Sequence, residues 1–296
     1  LTDRPREDGK ALAVLVAGAC AIAFAPVFVR LSGTGPAAAG FWRLSLALPV
    51  LALMAARASG GGRGGGLNPT AITLAAGAFF GLDLTFWHYG IHFTTVANAT
   101  ILANLSPVFV TAGAWLLLRE RPARMFVAGL ALALAGTWAI AAARGGGAAL
   151  DPPLGDALSI ATSVWYAAYL LCVRRAREAQ SAPAVMAWSS AVGAVVTLLV
   201  ALGLREQLVP ASAGGWLACA ALGLVHVTGQ GAIAWALGKV PAAVASVVVL
   251  AQPVLTAVLG WLIFAEPMTP LQMLGGALAL GGVAVAQLAA ARARRL

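Results

Sequence analysis

The sequence predicts an all-α integral membrane protein with ten transmembrane helices, built as two inverted five-helix repeats. Three observations predict it. First, 61% of the 296 residues are apolar and only 10% are charged, whereas a soluble domain carries about 25% charged residues. A chain this apolar belongs in lipid, where backbone groups must pair within their own segment; with no period-2 alternation to suggest a barrel, the spans are helical. Second, the stretch 97–136 returns at 243–282, offset by 146 residues without a gap. About a third of its positions are identical, among them Pro107-Val108/Pro253-Val254, Trp115-Leu116/Trp261-Leu262, Glu120/Glu266, Gly129/Gly275 and Gly136/Gly282. The same offset pairs Trp42 with Trp188 and Gly77 with Gly223, so the chain divides into two copies of one unit, 1–147 and 148–296. Third, five spans per unit is an odd number. The second copy therefore enters the membrane from the opposite side, the inverted plan recurrent among transporters.

Span one, 11–31, is long enough to cross and lacks a following cleavage site, so it reads as a helix rather than a removed signal. Pro26 lies within it and suits a bending point. Span two, 36–56, follows the turn Ser-Gly-Thr-Gly-Pro. Arg30 and Arg43 sit near the outer ends of these two spans, where each either attracts a carboxylate or snorkels to the surface. The Gly-rich stretch 60–66 has no preceding strand and no Gly-Lys-Ser/Thr, so it reads as a linker, not a phosphate loop.

Span three, 71–92, holds Asp83, the one acid deep in a predicted span. An acid there costs about 2.5–3.5 kcal/mol on insertion scales. It faces a wet cavity or a partner: it holds a substrate amino group, carries a proton, or is a hydrogen-bonded structural acid. Trp87 follows one turn on, beside His88. His88 and His92 share a face, but three histidines in the whole chain are too few for a membrane metal centre, so no metal is expected. His88 reads as facing the cavity and titratable, His92 as interfacial.

Span four, 95–118, places Thr100, Asn104, Pro107 and Thr111 on one face. Pro107 and its mate Pro253 each free a carbonyl one turn earlier, creating a hinge or a packing kink. Glu120 ends span four and Glu266 ends span nine, on opposite membrane faces. They are paired gate residues or simply caps of the following helices. Spans five (124–143) and ten (270–291) are Gly-rich, suited to packing within the chain or between protomers of a homo-oligomer.

Span six, 154–174, carries Ser159, Thr162, Tyr166 and Tyr169 on one face, with Trp165 alongside. Such a stripe is either packing or a cavity wall, and its hydroxyls favour the wall because lipid offers them no partner. Span seven is 183–203. Span eight, 213–237, offers His226, Thr228 and Gln230, and span nine, 241–263, offers Ser246 and Gln252. The polar residues do not repeat at the 146 offset: Asp83 pairs with Gly229, His226 with Phe80, Gln252 with Ser106 and Trp165 with Ala19. Symmetry kept in the scaffold and dropped in the polar residues marks the latter as substrate contacts: Asp83, Trp87, His88, Trp165, Tyr166, Tyr169, His226, Gln230 and Gln252.

The net charge of +9 does not mark a nucleic-acid binder, because the charges lie between apolar runs. With the N-terminus in the cytoplasm, fifteen of the nineteen Lys and Arg fall inside, with Arg30, Arg43, Arg144 and Arg205 outside. Both termini are then cytoplasmic. Cys20, Cys172 and Cys219 lie in apolar runs and read as packing residues. No nucleophile elbow, zinc helix or nucleotide loop appears. No cofactor and no enzymatic activity are expected.

The motifs Ser106-Pro107-Val108-Phe109, Trp115 to Glu120, Gln252-Pro253-Val254-Leu255 and Trp261 to Glu266 resemble the EamA-type repeat of the drug/metabolite transporter superfamily. The resemblance covers both halves, and overall likeness is greatest to the aromatic amino-acid exporter (YddG) branch. It implies a ten-helix carrier in a bacterial-type inner membrane, with a central cavity lined by spans 1, 3, 4, 6, 8 and 9. The implied activity is export of small metabolites, amino acids foremost, by alternating access. Carriage of drugs, nucleosides or sugars is the alternative, and a channel or membrane enzyme stands behind it. Proton antiport and facilitation both stay open, with Asp83 or His88 as proton carrier if one is needed.

Overall fold

The computed structural model describes residues 4–60, 68–94, 102–119, 121–143, 151–252, 254, 255, 258, 259, 262 and 269–293. Regular structure among these residues is helical throughout. The helices are α1 (Arg4–Ile22), α2 (Ala25–Ser32), α3 (Pro36–Gly60), α4 (Ala71–Phe93), α5 (Ser106–Leu118), α6 (Arg124–Ala143), α7 (Pro152–Ala176), α8 (Ala182–Gly203) and α9 (Ala213–Val225). A π-helical turn, His226–Gln230, leads into α10 (Gly231–Leu237), followed by α11 (Ala242–Val249) and α12 (Pro270–Ala293). Seven spans of the described residues are long and apolar enough to cross a membrane. With α5, α6 and α11 they make the ten helical spans expected.

Side-chain caps set several starts. Thr70, Asp151, Ser181 and Ser212 each accept a backbone N–H of the first turn, of Thr73, Leu154, Ala184 and Gly215, satisfying donors that a helix leaves unpaired. Pro152 and Pro183 occupy first-turn positions, where a missing N–H costs nothing. Gly33, at φ 63°, ends α2 in the left-handed conformation that a side chain disfavours.

Three spans are not continuous. Span one breaks at Ala23 and Phe24, and Pro26 stands in the first turn of α2. Proline has no N–H to offer the carbonyl of Ile22, so the helix restarts. Span four turns at Asn104 and Leu105, where Leu105 N–H donates to Leu102 O at 3.2 Å, and Pro107 opens α5. Span nine turns 146 residues later, at Leu250 and Ala251, with Ala251 N–H donating to Val248 O at 3.0 Å. Pro253 itself lies outside the described residues.

The repeat is a spatial symmetry. The span pairs three–six, three–seven and four–six are matched by eight–one, eight–two and nine–one, while two–seven, four–nine and five–ten map onto themselves. Glycines show it at atomic detail. A Cβ on Gly77 would meet Val192 at 2.7 Å, and one on Gly223 would meet Leu46 at 3.1 Å; both pairs are related by 146. Spans five and ten close on each other through Gly129, Gly136, Gly275 and Gly282, where an added Cβ would lie 2.3–2.7 Å from the partner backbone. Their glycine faces are thus used inside the chain. The repeats are inverted: α4 begins beside Gln180, whereas its counterpart α9 begins beside Ser32, at the opposite end of the bundle.

Candidate functional site

The interior is polar where α3, α4, α7, α8 and the π turn meet. Arg43 of α3 is 5% exposed, and Asp83 and His88 of α4 are each 8% exposed. The charges of Arg43 and Asp83 act on each other. The Arg43 guanidinium carbon lies 5.8 Å from the centroid of the Phe80 ring, in cation–π range. Phe80 stacks with Tyr169, ring centroids 4.6 Å apart, and with His226 at 5.5 Å. Tyr166 continues the stack at 6.0 Å from Tyr169. His226, 0% exposed, shares a 2.8 Å hydrogen bond between Nε2 and Ser190 Oγ of α8. Gln230 reaches both phenols.

Phe80 and His226 are symmetry mates, separated by 146 residues, so their contact lies on the pseudo-twofold axis. The π turn that carries His226 and Gln230 has no counterpart: the equivalent residues of α4 are regular α-helix. A π turn inserts one residue per turn and re-aims the side chains that follow. It brings His226 and Gln230 inward and leaves Thr228 facing out, its hydroxyl spent on Leu224 O.

Several interior polar atoms have no partner of normal hydrogen-bond geometry: Arg43 Nε, both ring nitrogens of His88, Thr162 Oγ1, Trp165 Nε1, His226 Nδ1 and Gln252 Nε2. Buried polar atoms are normally satisfied, so each of these is a place where water or a ligand can bind. Donors dominate this set, and the set spans both repeats.

The sequence-derived residues fall into groups. Asp83, Tyr166, Tyr169, His226 and Gln230 come together around Phe80. Trp165 stands apart from that stack, half-buried between Phe79 at 5.9 Å and Phe86 at 6.0 Å. Trp87 is half-buried against His88, ring centroids 5.0 Å apart. Gln252 follows the break in span nine and is half-buried. Pro26 and Pro107 open α2 and α5. Glu120, Pro253 and Glu266 lie outside the described residues, as do the side chains of Arg30 and His92. Ser159 spends its hydroxyl on Gly155 O, and Ser246 on Ala243 O.

Two spans outside the implied cavity set contribute. Span two supplies Arg43, which is enclosed rather than snorkelling, and span seven supplies Ser190 and Met186, the latter 3.7 Å from the Tyr169 hydroxyl. Arg43 was open to discovery by the symmetry rule, since its mate is Ser189. Ser190 carried no such signal, because a lone serine in an apolar run is usually bonded to its own helix.

Different polar ties close the two ends. At one, the Glu206 carboxylate accepts N–H bonds from Ala37 and Ala38, at 3.2 and 2.9 Å, and a bond from the Tyr89 hydroxyl. Nearby, Trp42 Nε1 donates to Leu208 O at 2.7 Å, and Thr94 to Asp156 at 2.7 Å. At the other end Thr73 donates to Gln180 Oε1, Gln180 Nε2 to Asn68 O at 2.8 Å, and Arg177 Nε to Ala234 O at 3.1 Å. At the 146 offset, Glu206, Gln180 and Arg177 face Gly60, Thr34 and Leu31, so the ties made by these three side chains have no equivalent in the other repeat.

An inverted ten-span bundle with polar groups clustered at its centre is the architecture of a membrane transporter. The profile of the EamA-like transporter family matches residues 9–142 and 153–287. The chain belongs to that family, within the drug/metabolite transporter superfamily, whose members are transporters. Twenty-nine solved chains match its fold. One, described only as a protein crystal structure, superposes with a TM-score of 0.79 at 22% identity, covering 97% of this chain and 99% of its own. No curated protein matches the sequence.

Proposed function

We propose that this chain is a secondary carrier that exports amino acids, aromatic ones among them, from the cytoplasm by alternating access between its two repeats. The observation that carries this reading is the pair of opposite charges, Arg43 and Asp83, enclosed together beside a stack of aromatic rings. Holding two charges inside a membrane bundle costs several kcal/mol per ion, a cost that a role in binding accounts for. A zwitterion uses both: its carboxylate suits the donors of Arg43, and its ammonium suits Asp83. Phe80, Tyr166, Tyr169 and Trp165 supply flat apolar faces for a side chain, and Gln230, His88, His226 and Gln252 supply polar contacts. The chain runs N-terminus inside, with the Glu206 end outward and the Arg177 end toward the cytoplasm, as the charge bias of the loops indicates.

The test is uptake of labelled aromatic, aliphatic and charged amino acids into proteoliposomes, with and without a pH gradient. Saturable uptake of zwitterionic amino acids is expected. An effect of the gradient identifies proton coupling, for which Asp83 and His88 are the carriers to substitute. Folded protein that moves no amino acid faster than empty liposomes defeats the substrate assignment. Uptake that never saturates defeats the carrier assignment in favour of a channel.

A further inference from the structure

At the end that carries Arg177, the turn between α7 and α8 and the last residues of α10 form an open pocket of about 350 Å³, whose lining includes Arg177, Glu178, Gln180, Ser181, Pro183 and Trp235. Arg177 donates from Nε to Ala234 O and from Nη1 to Gln180 O. Both acceptors are neutral carbonyls, so the guanidinium is held in place while its charge stays uncompensated. No described carboxylate pairs with it; Glu178, the acid at the cavity, is engaged by Arg175. Burial alone pushes the pKa of Arg177 down, with no acid opposing the shift. Lys239 adds a second cation: its Nζ lies over the Trp235 ring, 4.8 Å from the centroid.

We propose that this pocket binds a phosphate-class anion, a phospholipid headgroup or a soluble phosphomonoester, on Arg177, with Lys239 adding a second positive charge beside the lining Trp235. An aromatic ring and two cations at the end of a span form the kind of basic pocket that takes anionic headgroups. A fixed guanidinium with its Nη2 unspent donates readily to phosphate oxygens. The occupant would tie the α7–α8 turn to the end of span eight, at the face proposed to open toward the cytoplasm.

Native mass spectrometry of the full chain in detergent, with phosphatidylglycerol or phosphatidylcholine added, tests this. One tightly retained phosphatidylglycerol per chain is expected, with phosphatidylcholine lost at the same collision energy. Lys239→Gln, which removes a charge that makes no hydrogen bond, should weaken retention about five-fold. Arg177→Gln should weaken it further, and Arg57→Gln, an exposed cation on the same face, should leave it unchanged. Glycerol 3-phosphate displacing the lipid assigns the site to soluble phosphates; lipid retained against it assigns the headgroup. Equal retention of the two lipids, or wild-type retention by Lys239→Gln, overturns the proposal even where Arg177→Gln fails to fold. Amino-acid uptake is read separately, so the failure of one reading does not decide the other.

Discussion

Arg43 and Asp83 are charged side chains buried within the bundle, 5% and 8% exposed. Each is enclosed, and the opposite charge of the other offsets part of its desolvation cost. Asp83→Asn should therefore leave Arg43 as an unpaired buried charge, destabilising the chain by about 3–5 kcal/mol. Arg43→Gln with Asp83→Asn should recover part of that loss, because neither charge is then stranded. Thermal unfolding in detergent of the two single variants and the double measures the coupling, and additive losses would show that the charges do not support each other. In uptake assays Asp83→Asn should raise the half-saturation concentration for amino acids about ten-fold or more, the value of a contact to a charged group. His226 behaves differently. Its bond to Ser190 spends one ring nitrogen, so Ser190→Ala should weaken the position of the ring without removing a charge.

Glycine and proline decide how the elements meet. A Cβ on Gly136 or Gly282 would lie 2.3 Å from the backbone nitrogen of Ala279 or Ala133, a distance that real atoms do not adopt. Gly282→Leu should force α6 and α12 apart and cost about 1–3 kcal/mol or more. Gly281→Leu, one residue away with open space around it, should be close to neutral; equal losses in the two variants would show that the helix, not the contact, is sensitive. Pro107 works the other way. Replacing it by alanine restores an N–H that can reach Ala103 O and extend α5 backward. Pro107→Ala should leave stability unchanged or raised and slow uptake, with maximal rate falling more than half-saturation shifts. An unchanged rate would reduce the break to a packing kink. The break recurs at Leu250 and Ala251, so it belongs to the repeat, whereas the π turn belongs to span eight alone.

For the whole molecule, the scaffold is symmetric and the closures are not. Every major span pairing has its mate, as exchange of roles between repeats requires, yet Glu206, Gln180 and Arg177 have none. In the proposed alternating-access cycle the two ends would then open at different free-energy costs, and one substitution would bias the balance. Glu206→Gln removes the anion that sits on the first N–H groups of α3, a placement worth about 0.3–1 kcal/mol from the helix dipole alone. It should raise the population open at that end by up to about five-fold. In a background with Cys20, Cys172 and Cys219 replaced, Tyr89→Cys should then react faster with an impermeant maleimide added from the outside. Labelling at the same rate with and without Glu206 would show that the loop does not latch that end.

Much of this was legible along the chain. The ten spans, the inverted repeat and a weak point in span four follow from local rules: lipid forbids unpaired backbone, a 146-residue offset is visible to inspection, and Pro107 leaves a carbonyl one turn earlier without its N–H. The stripe on span six was legible for the same reason, since helical periodicity puts Ser159, Thr162, Tyr166 and Tyr169 on one face whatever surrounds them. Which groups meet was not. That Arg43 is enclosed with Asp83 rather than snorkelling, that Phe80 and His226 touch on the axis, and that Trp165 stands outside the central stack all depend on how spans far apart in sequence pack. The π turn depends on the same packing, because its extra residue is stabilised by neighbours and not by the residues His226 to Gln230 themselves. Sequence by itself determined the class and symmetry of this protein, since those are set by each segment's exchange with solvent. Only the tertiary structure decided which of the candidate residues meet, since that is a matter of distances between segments, and those exist only once the helices have packed.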